Sequence, residues 1–171
     1  MFVEDRLGIG EAAVLPYLWQ LGLRRLDYIA ATHGDSDHTE AFGEIVPAMR
    51  PREALAGNTP RADEPPDLFT QALQAGRLPL RVLRRGEVLN LDGVQVEVLA
   101  PFAEAGQLAP SDNNGSLVLR VVYGQRAFLL TGDIEKETEA RLLQSGSVLQ
   151  ADVLKVAHHG SRTSSTAEFL A

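Results

Sequence analysis

All four histidines of the chain fall in two short clusters, His33 with His38 and His158 with His159. Each cluster closes an apolar run of the kind that forms a buried strand, residues 26–32 before the first and 153–156 before the second. A third polar group, Thr131-Gly132-Asp133, closes another such run at Leu130. Polar chemistry gathered at the ends of apolar strands is the habit of α/β architectures, in which function sits at strand ends. The pattern therefore constrains the fold to sheets whose strand ends carry the chemistry.

The rest of the pattern agrees. Mixed three- and four-residue spacing of apolar residues predicts a helix over 11–23, with Pro16 delaying its start or kinking it. Helices follow over 39–48, ending before Pro51, and over 67–75, stopping at Gly76. Short strands are predicted at 54–56, 80–83, 88–91 and 94–99, with Asp92-Gly93 as a tight hairpin turn. A second hairpin joins 117–122 to 126–130 about Tyr123-Gly124-Gln125. A helix over 134–143 carries Glu and Lys on its outer face, and residues 164–168 cap and start a last helix. The proline-rich stretch 58–66 reads as a surface excursion. Helix–strand–helix, antiparallel strands, then helix–strand–helix predicts an α/β fold with a two-layer sheet core flanked by helices. A length of 171 residues fits one domain over 1–171.

Composition narrows the chemistry. There is no cysteine, which excludes disulfides, Cys-ligated zinc, iron–sulfur clusters and a thiol nucleophile. A formal net charge of −7 excludes gripping nucleic acid through phosphate neutralisation alone. No run approaches the 18 or so apolar residues of a membrane helix. The opening Met1-Phe2-Val3-Glu4-Asp5-Arg6 lacks the basic and apolar regions of a signal peptide. The chain by itself is expected to be soluble.

The first cluster, His33-Gly34-Asp35-Ser36-Asp37-His38, packs four potential metal ligands into six residues. A helix cap needs one Asp or Ser, not two Asp and two His. Asp133 reads either as the cap of the following helix or as a carboxylate that caps with one oxygen and faces a metal with the other. In His158-His159-Gly160-Ser161, Gly160 allows a sharp turn close to a ligand. Ser111-Asp112-Asn113-Asn114-Gly115-Ser116 is a turn whether or not it binds anything. Imidazole and carboxylate without sulfur suit Zn²⁺, Mn²⁺ or Fe. Two such ions activate water and clamp both oxygens of a displacement, which is hydrolase chemistry, most naturally at phosphorus.

His33-x-Asp35-x-Asp37-His38, Thr131-Gly132-Asp133 and His158-His159-Gly160-Ser161 resemble the motifs of the metallo-β-lactamase superfamily. The surrounding wording, Asn113-Asn114-Gly115-Ser116-Leu117-Val118-Leu119, Phe128-Leu129-Leu130 before Asp133, and 151–165, is similar to the hydrolase domain of ComEC-type competence proteins, membrane channels that import DNA during natural transformation. The resemblance covers residues 14–171. It implies an αββα sandwich and two divalent metal ions, zinc or manganese. His33 and Asp35 would hold the first, with Asp35 standing where most of the superfamily has a second His. Asp37 and His38 would serve the second metal and Asp133 would bridge. One of His158 and His159 would complete the second site while the other faces phosphate. Asp37, His158 and His159 are the expected catalytic residues, and Asn113, Asn114, Ser116 and Ser161 the expected substrate contacts. Asn113 or Asn114 lies where relatives place another His. Lys155 reads as strand-flanking.

Two departures from the family pattern stand out. Thr39-Glu40-Ala41 replaces a small apolar residue and paired Gly, which places Glu40 near the substrate mouth. The chain also lacks the family's opening hairpin and closing strand, so it is expected to be a piece of a bacterial membrane protein, with open sheet edges covered by the remainder of that channel or by another copy. The expected function is a metal-dependent phosphodiesterase or nuclease acting on single-stranded DNA or another phosphodiester. The alternatives are a non-catalytic structural or DNA-guiding domain with a degraded metal site, and a free-standing ester or lactone hydrolase.

Overall fold

The computed structural model of the chain describes residues 8–58, 65–102 and 113–171. Its strands form a three-stranded sheet and a five-stranded sheet. By compactness the chain divides into two units, Met1–Leu55 with Pro60–Arg81, and Ala56–Thr59 with Val82–Ala171.

In the first unit a wide π-type turn over Gly10–Val14 runs into α1, Leu15–Gln20, with Pro16 at its start. Proline is tolerated there because the first N–H groups of a helix need no internal partner. The element starts as the sequence suggests but ends earlier. Only its Leu15 is buried, and Tyr17, Trp19, Leu21 and Leu23 are exposed. Strand β1, Tyr28–Ala31, buries Ile29 and Ala31 and exposes Tyr28 and Ala30. The run expected to be buried throughout is thus buried on one face, the two-residue alternation of a half-covered strand. The expected helix over 39–48 is two elements, α2, Ser36–Thr39, and α3, Phe42–Met49, the latter with Pro47 inside. Strand β2, Glu53–Ala56, follows, and then α4, Leu68–Gly76, capped by the Asp67 carboxylate, which accepts the Thr70 N–H at 2.7 Å. On α3, Ile45, Val46 and Met49 are buried, as are Phe69, Ala72 and Leu73 on α4. The Phe42 and Phe69 rings meet at 4.9 Å. Strand β3, Leu80–Val82, completes the sheet in the order β1-β2-β3.

The second unit carries β4, Val88–Leu91; β5, Val94–Ala100; β6, Val118–Tyr123; β7, Arg126–Leu130; and β8, Val153–Lys155, neighbours in that order. All pairs are antiparallel except β7 with β8, which is parallel. Helix α5, Lys136–Gln144, connects those two. Ile134 and Leu142 sit in one cluster with Leu99, Ala100, Val118, Leu129 and Ala157. Helix α6, Ala167–Leu170, adds Phe169 to it. The strand at 153–156, expected to be buried, is last in the sheet order, and Val153 and Val156 are about half exposed. Glu139 of α5, expected on the outer face, is fully buried.

The parallel pair is fastened at its start by Asp152. Its carboxylate accepts the Ala127 N–H at 2.8 Å and an Arg126 Nη1–H at 2.7 Å. The Ala127 N–H first, and then Arg126, hold its carboxyl below the ordinary value of about 3.8. A lowered carboxyl contributes stability that is present above the unfolded value and lost as pH falls through the folded one. Asp152→Asn is therefore expected to lower the urea midpoint at pH 7, with the gap to the native chain closing below about pH 4. Parallel midpoint curves from pH 7 to pH 2 count against this account.

Candidate metal centre

In the first unit the chain leaves β1 at Ala31, and Thr32 and His33 lead into α2. Asp35 occupies the N-cap position of α2, yet its side chain makes no capping hydrogen bond. The capping role that would make this Asp ordinary is therefore not the one it plays. Thr32 Oγ1 lies 3.0 Å from His33 Nδ1 and 3.4 Å from His38 Nδ1, and the two rings sit 4.3 Å apart. One hydroxyl thus faces the inner nitrogen of both imidazoles. The outer nitrogens face carboxylates, His33 Nε2 at 3.5 Å from Asp35 Oδ2 and His38 Nε2 at 3.8 Å from Asp37 Oδ2. His33 is buried, while the Asp35 and Asp37 side chains are open to solvent. The single turn of α2 explains the spacing, because it brings Asp35 and His38 onto one side of the loop. The Thr39 hydroxyl, fully buried, closes the turn on the Asp35 carbonyl at 2.9 Å. Gly34 permits a close approach, since a Cβ there would lie 2.9 Å from Asp67 Oδ2.

In the second unit Asp133 follows β7 and is buried. The helix cap position belongs to Glu135, so Asp133 is not the capping residue. The fully buried Ser116 turns its Oγ to the Asp133 N–H at 3.1 Å. Ser116 thus supports the Asp133 turn. Asn114 supports the same turn, its Oδ1 accepting the Glu135 N–H at 3.0 Å and its carbonyl the Thr138 hydroxyl at 3.1 Å. Ser161 bonds Thr163 within its own loop. Residues 111 and 112 of the expected turn lie outside the described residues.

The two terminal histidines separate. His159 Nε2 lies 3.3 Å from Asp133 Oδ2. His158 turns its Nδ1 to Glu135 Oε1 and to Asn113 Nδ2, both at 3.5 Å. The rings are 6.4 Å apart and nearly perpendicular. His159 is thus the imidazole on the buried carboxylate. Lys155, read from sequence as merely strand-flanking, brings its Nζ to 4.0 Å from Asp133 Oδ1. In the first unit, Glu40 lines a groove of about 310 Å³ with Gly43, Pro47 and residues of α4.

The donors present fit a divalent cation. They are imidazole nitrogen and carboxylate oxygen only, which suits zinc, manganese or iron. An imidazole that ligates through Nε2 carries its proton on Nδ1, and a hydroxyl oxygen has two lone pairs to receive two such protons. Thr32 supplies that oxygen. Sequence reading missed Thr32 because a threonine ending a strand carries no signal of its own. Thr32→Val keeps the shape and removes the acceptor. It is expected to weaken Zn²⁺ or Mn²⁺ binding by about tenfold in calorimetric titration with little change in melting temperature. Unchanged affinity would remove Thr32 from the site.

Comparison with known proteins agrees with the geometry. Residues 4–171 match the family model described as the metallo-beta-lactamase superfamily. The chain is 37% identical over 172 residues to ComE operon protein 3 of Bacillus subtilis, covering 98% of the chain and 21% of that protein. It is 32% identical over 171 residues to competence protein ComA of Neisseria gonorrhoeae, covering 99% of the chain and 22% of that protein. The chain thus spans about a fifth of the length of these relatives. Among solved structures, a B3 metallo-beta-lactamase with an active-site glutamic acid aligns with a TM-score of 0.59 at 16% identity, over 91% of this chain and 68% of that one. The likeness shows the fold. Motifs, fold and family match lead to one conclusion: the chain belongs to the metallo-β-lactamase superfamily and is similar, over nearly its whole length, to one segment of the competence proteins.

Proposed function

We propose that the chain is a metal-dependent hydrolase of phosphodiester bonds, with single-stranded DNA as its substrate in the DNA-uptake setting that the resemblance implies. The observation that carries this reading is the loop from His33 to His38, where one hydroxyl faces both inner imidazole nitrogens and the outer ones face Asp35 and Asp37. The proposed ligands are His33, Asp35, Asp37 and His38 of the first unit, and Asp133 and His159 of the second, enough for two ions. Divalent cations, when bound, acidify water and offset charge on phosphoryl oxygens. The formal net charge of −7 makes that offset necessary for any polyanionic substrate.

The residues of the chain do the rest. Thr32 keeps the His33 and His38 rings turned with Nε2 outward. Ser116 and Asn114 hold the Asp133 turn. His158, with its Nδ1 toward Glu135 and Asn113, keeps its Nε2 for the substrate, where it would give a proton to the leaving oxygen as water adds to phosphorus.

The test is incubation of end-labelled single-stranded DNA with Mn²⁺ or Zn²⁺, against a chelator control and a panel of esters and lactones. Cutting that needs the cation and is absent with chelator supports the reading. Bound cation without cutting would select a structural or DNA-guiding role, and turnover of esters alone would select a different hydrolase.

A further inference from the structure

Glu139 lies in the middle of α5, is fully buried, and takes no part in the chemistry described above. A buried carboxylate is costly unless its oxygens are satisfied. Both are: Oε1 accepts the Ser165 N–H at 2.5 Å and Oε2 the Thr166 N–H at 2.9 Å. These two amides end the loop that begins with the two histidines. That loop is strained. His158, His159 and Ser165 hold positive φ of 47°, 51° and 59°, and only Gly160, at 80°, does so at no steric cost. Side chains in such conformations persist where the surroundings fix them, and they gather at functional sites.

The anchors all come from one segment. The His158 N–H donates to the Gly132 carbonyl at 3.3 Å. The Lys136 N–H donates to the Thr163 carbonyl at 3.0 Å, and the Thr163 hydroxyl to Glu135 Oε1 at 2.7 Å. The Ser164 hydroxyl donates to the Ile134 carbonyl at 2.8 Å. Residues 132–139 therefore hold the histidine loop at its start, middle and end, and the same segment carries Asp133. The 3.3 Å approach of His159 to Asp133 closes the ring.

We propose that Glu139 is a positioning residue whose two backbone hydrogen bonds lock the strained histidine loop and so fix His159 against Asp133 for a divalent cation. This rests on the metal-binding part of the reading above, not on the substrate. Coupling is reciprocal: if the clasp at Ser165 and Thr166 favours the cation, the cation favours the clasp. Glutamine cannot replace Glu139, because its amide nitrogen would face one of the N–H donors.

The test joins one variant and one measurement on the native chain. In Glu139→Gln, the dissociation constants for Zn²⁺ and Mn²⁺ are expected to rise by about tenfold, and the visible absorption of bound Co²⁺ to change, with the far-ultraviolet circular dichroism retained. In the native chain, addition of Zn²⁺ is expected to slow hydrogen exchange at the Ser165 and Thr166 amides. A Glu139→Gln chain with native affinity and an unchanged Co²⁺ spectrum overturns the proposal. So does native exchange at these amides that Zn²⁺ leaves unchanged while it binds, a result that stands even if the variant does not fold. A native chain that binds cation but cuts no phosphodiester removes the substrate reading and leaves this one; a chain that binds no cation removes both.

Discussion

On the proposed reading, Asp133→Asn is expected to lower metal-dependent cleavage of single-stranded DNA by about a thousandfold, while the fold survives. The substitution keeps the side-chain volume and leaves the Asp133 N–H on Ser116 Oγ, so the turn after β7 stays fastened. What goes is the charge. Asp133 is buried, with His159 Nε2 at 3.3 Å from one oxygen and Lys155 Nζ at 4.0 Å from the other. A carboxylate so placed is the natural partner of a cation, and an amide oxygen is a far weaker one. Loss of a preorganised electrostatic group in a catalytic site costs about 10²–10³ in rate, and, on the proposed reading, loss of a cation ligand would add to it. Initial rates at substrate well below KM, with melting curves for both proteins, make the comparison. A variant that keeps a tenth of the native rate would place the chemistry elsewhere.

The strands were legible as short apolar runs ending in polar or turn residues, although in β1 only one face of the run is buried. The histidine clusters were legible from their position after strands. Four features were not. The turn of α2 inside the first cluster is only four residues, too short to show a period. Glu139 looks like an outward charge because its partners lie 26 and 27 residues away, at Ser165 and Thr166, and local pattern is blind to such pairing. The separation of His158 from His159 depends on left-handed backbone at both, which adjacent identical residues give no means to foresee. Exposure of Val153 and Val156 is a fact of sheet order, since β8 reads like any buried strand until its neighbours are known.

Leu142→Ala is expected to destabilise the chain by about 3 kcal/mol, read from urea unfolding at pH 7. Leu142 is fully buried on α5, in one cluster with Leu99, Ala100, Val118, Leu129 and Ala157. Neighbours held on separate strands and on the histidine loop cannot all close on the space, so a cavity term adds to the lost transfer energy. Ala157 immediately precedes His158, and any relaxation that moves it moves the histidine loop. Saturating cation therefore separates two outcomes. At a hundredfold excess over its dissociation constant a ligand adds about 2.7 kcal/mol to stability. If the cavity leaves the loop in place, native chain and variant gain that amount alike, as independent sites do. The shared cluster argues for the other outcome: the variant gains less, because the displaced loop binds the cation more weakly, so the difference between the two proteins widens on adding Zn²⁺. Equal gains would detach the core beneath α5 from the metal site, and a loss under about 1 kcal/mol would mean that the cluster is not packed as described.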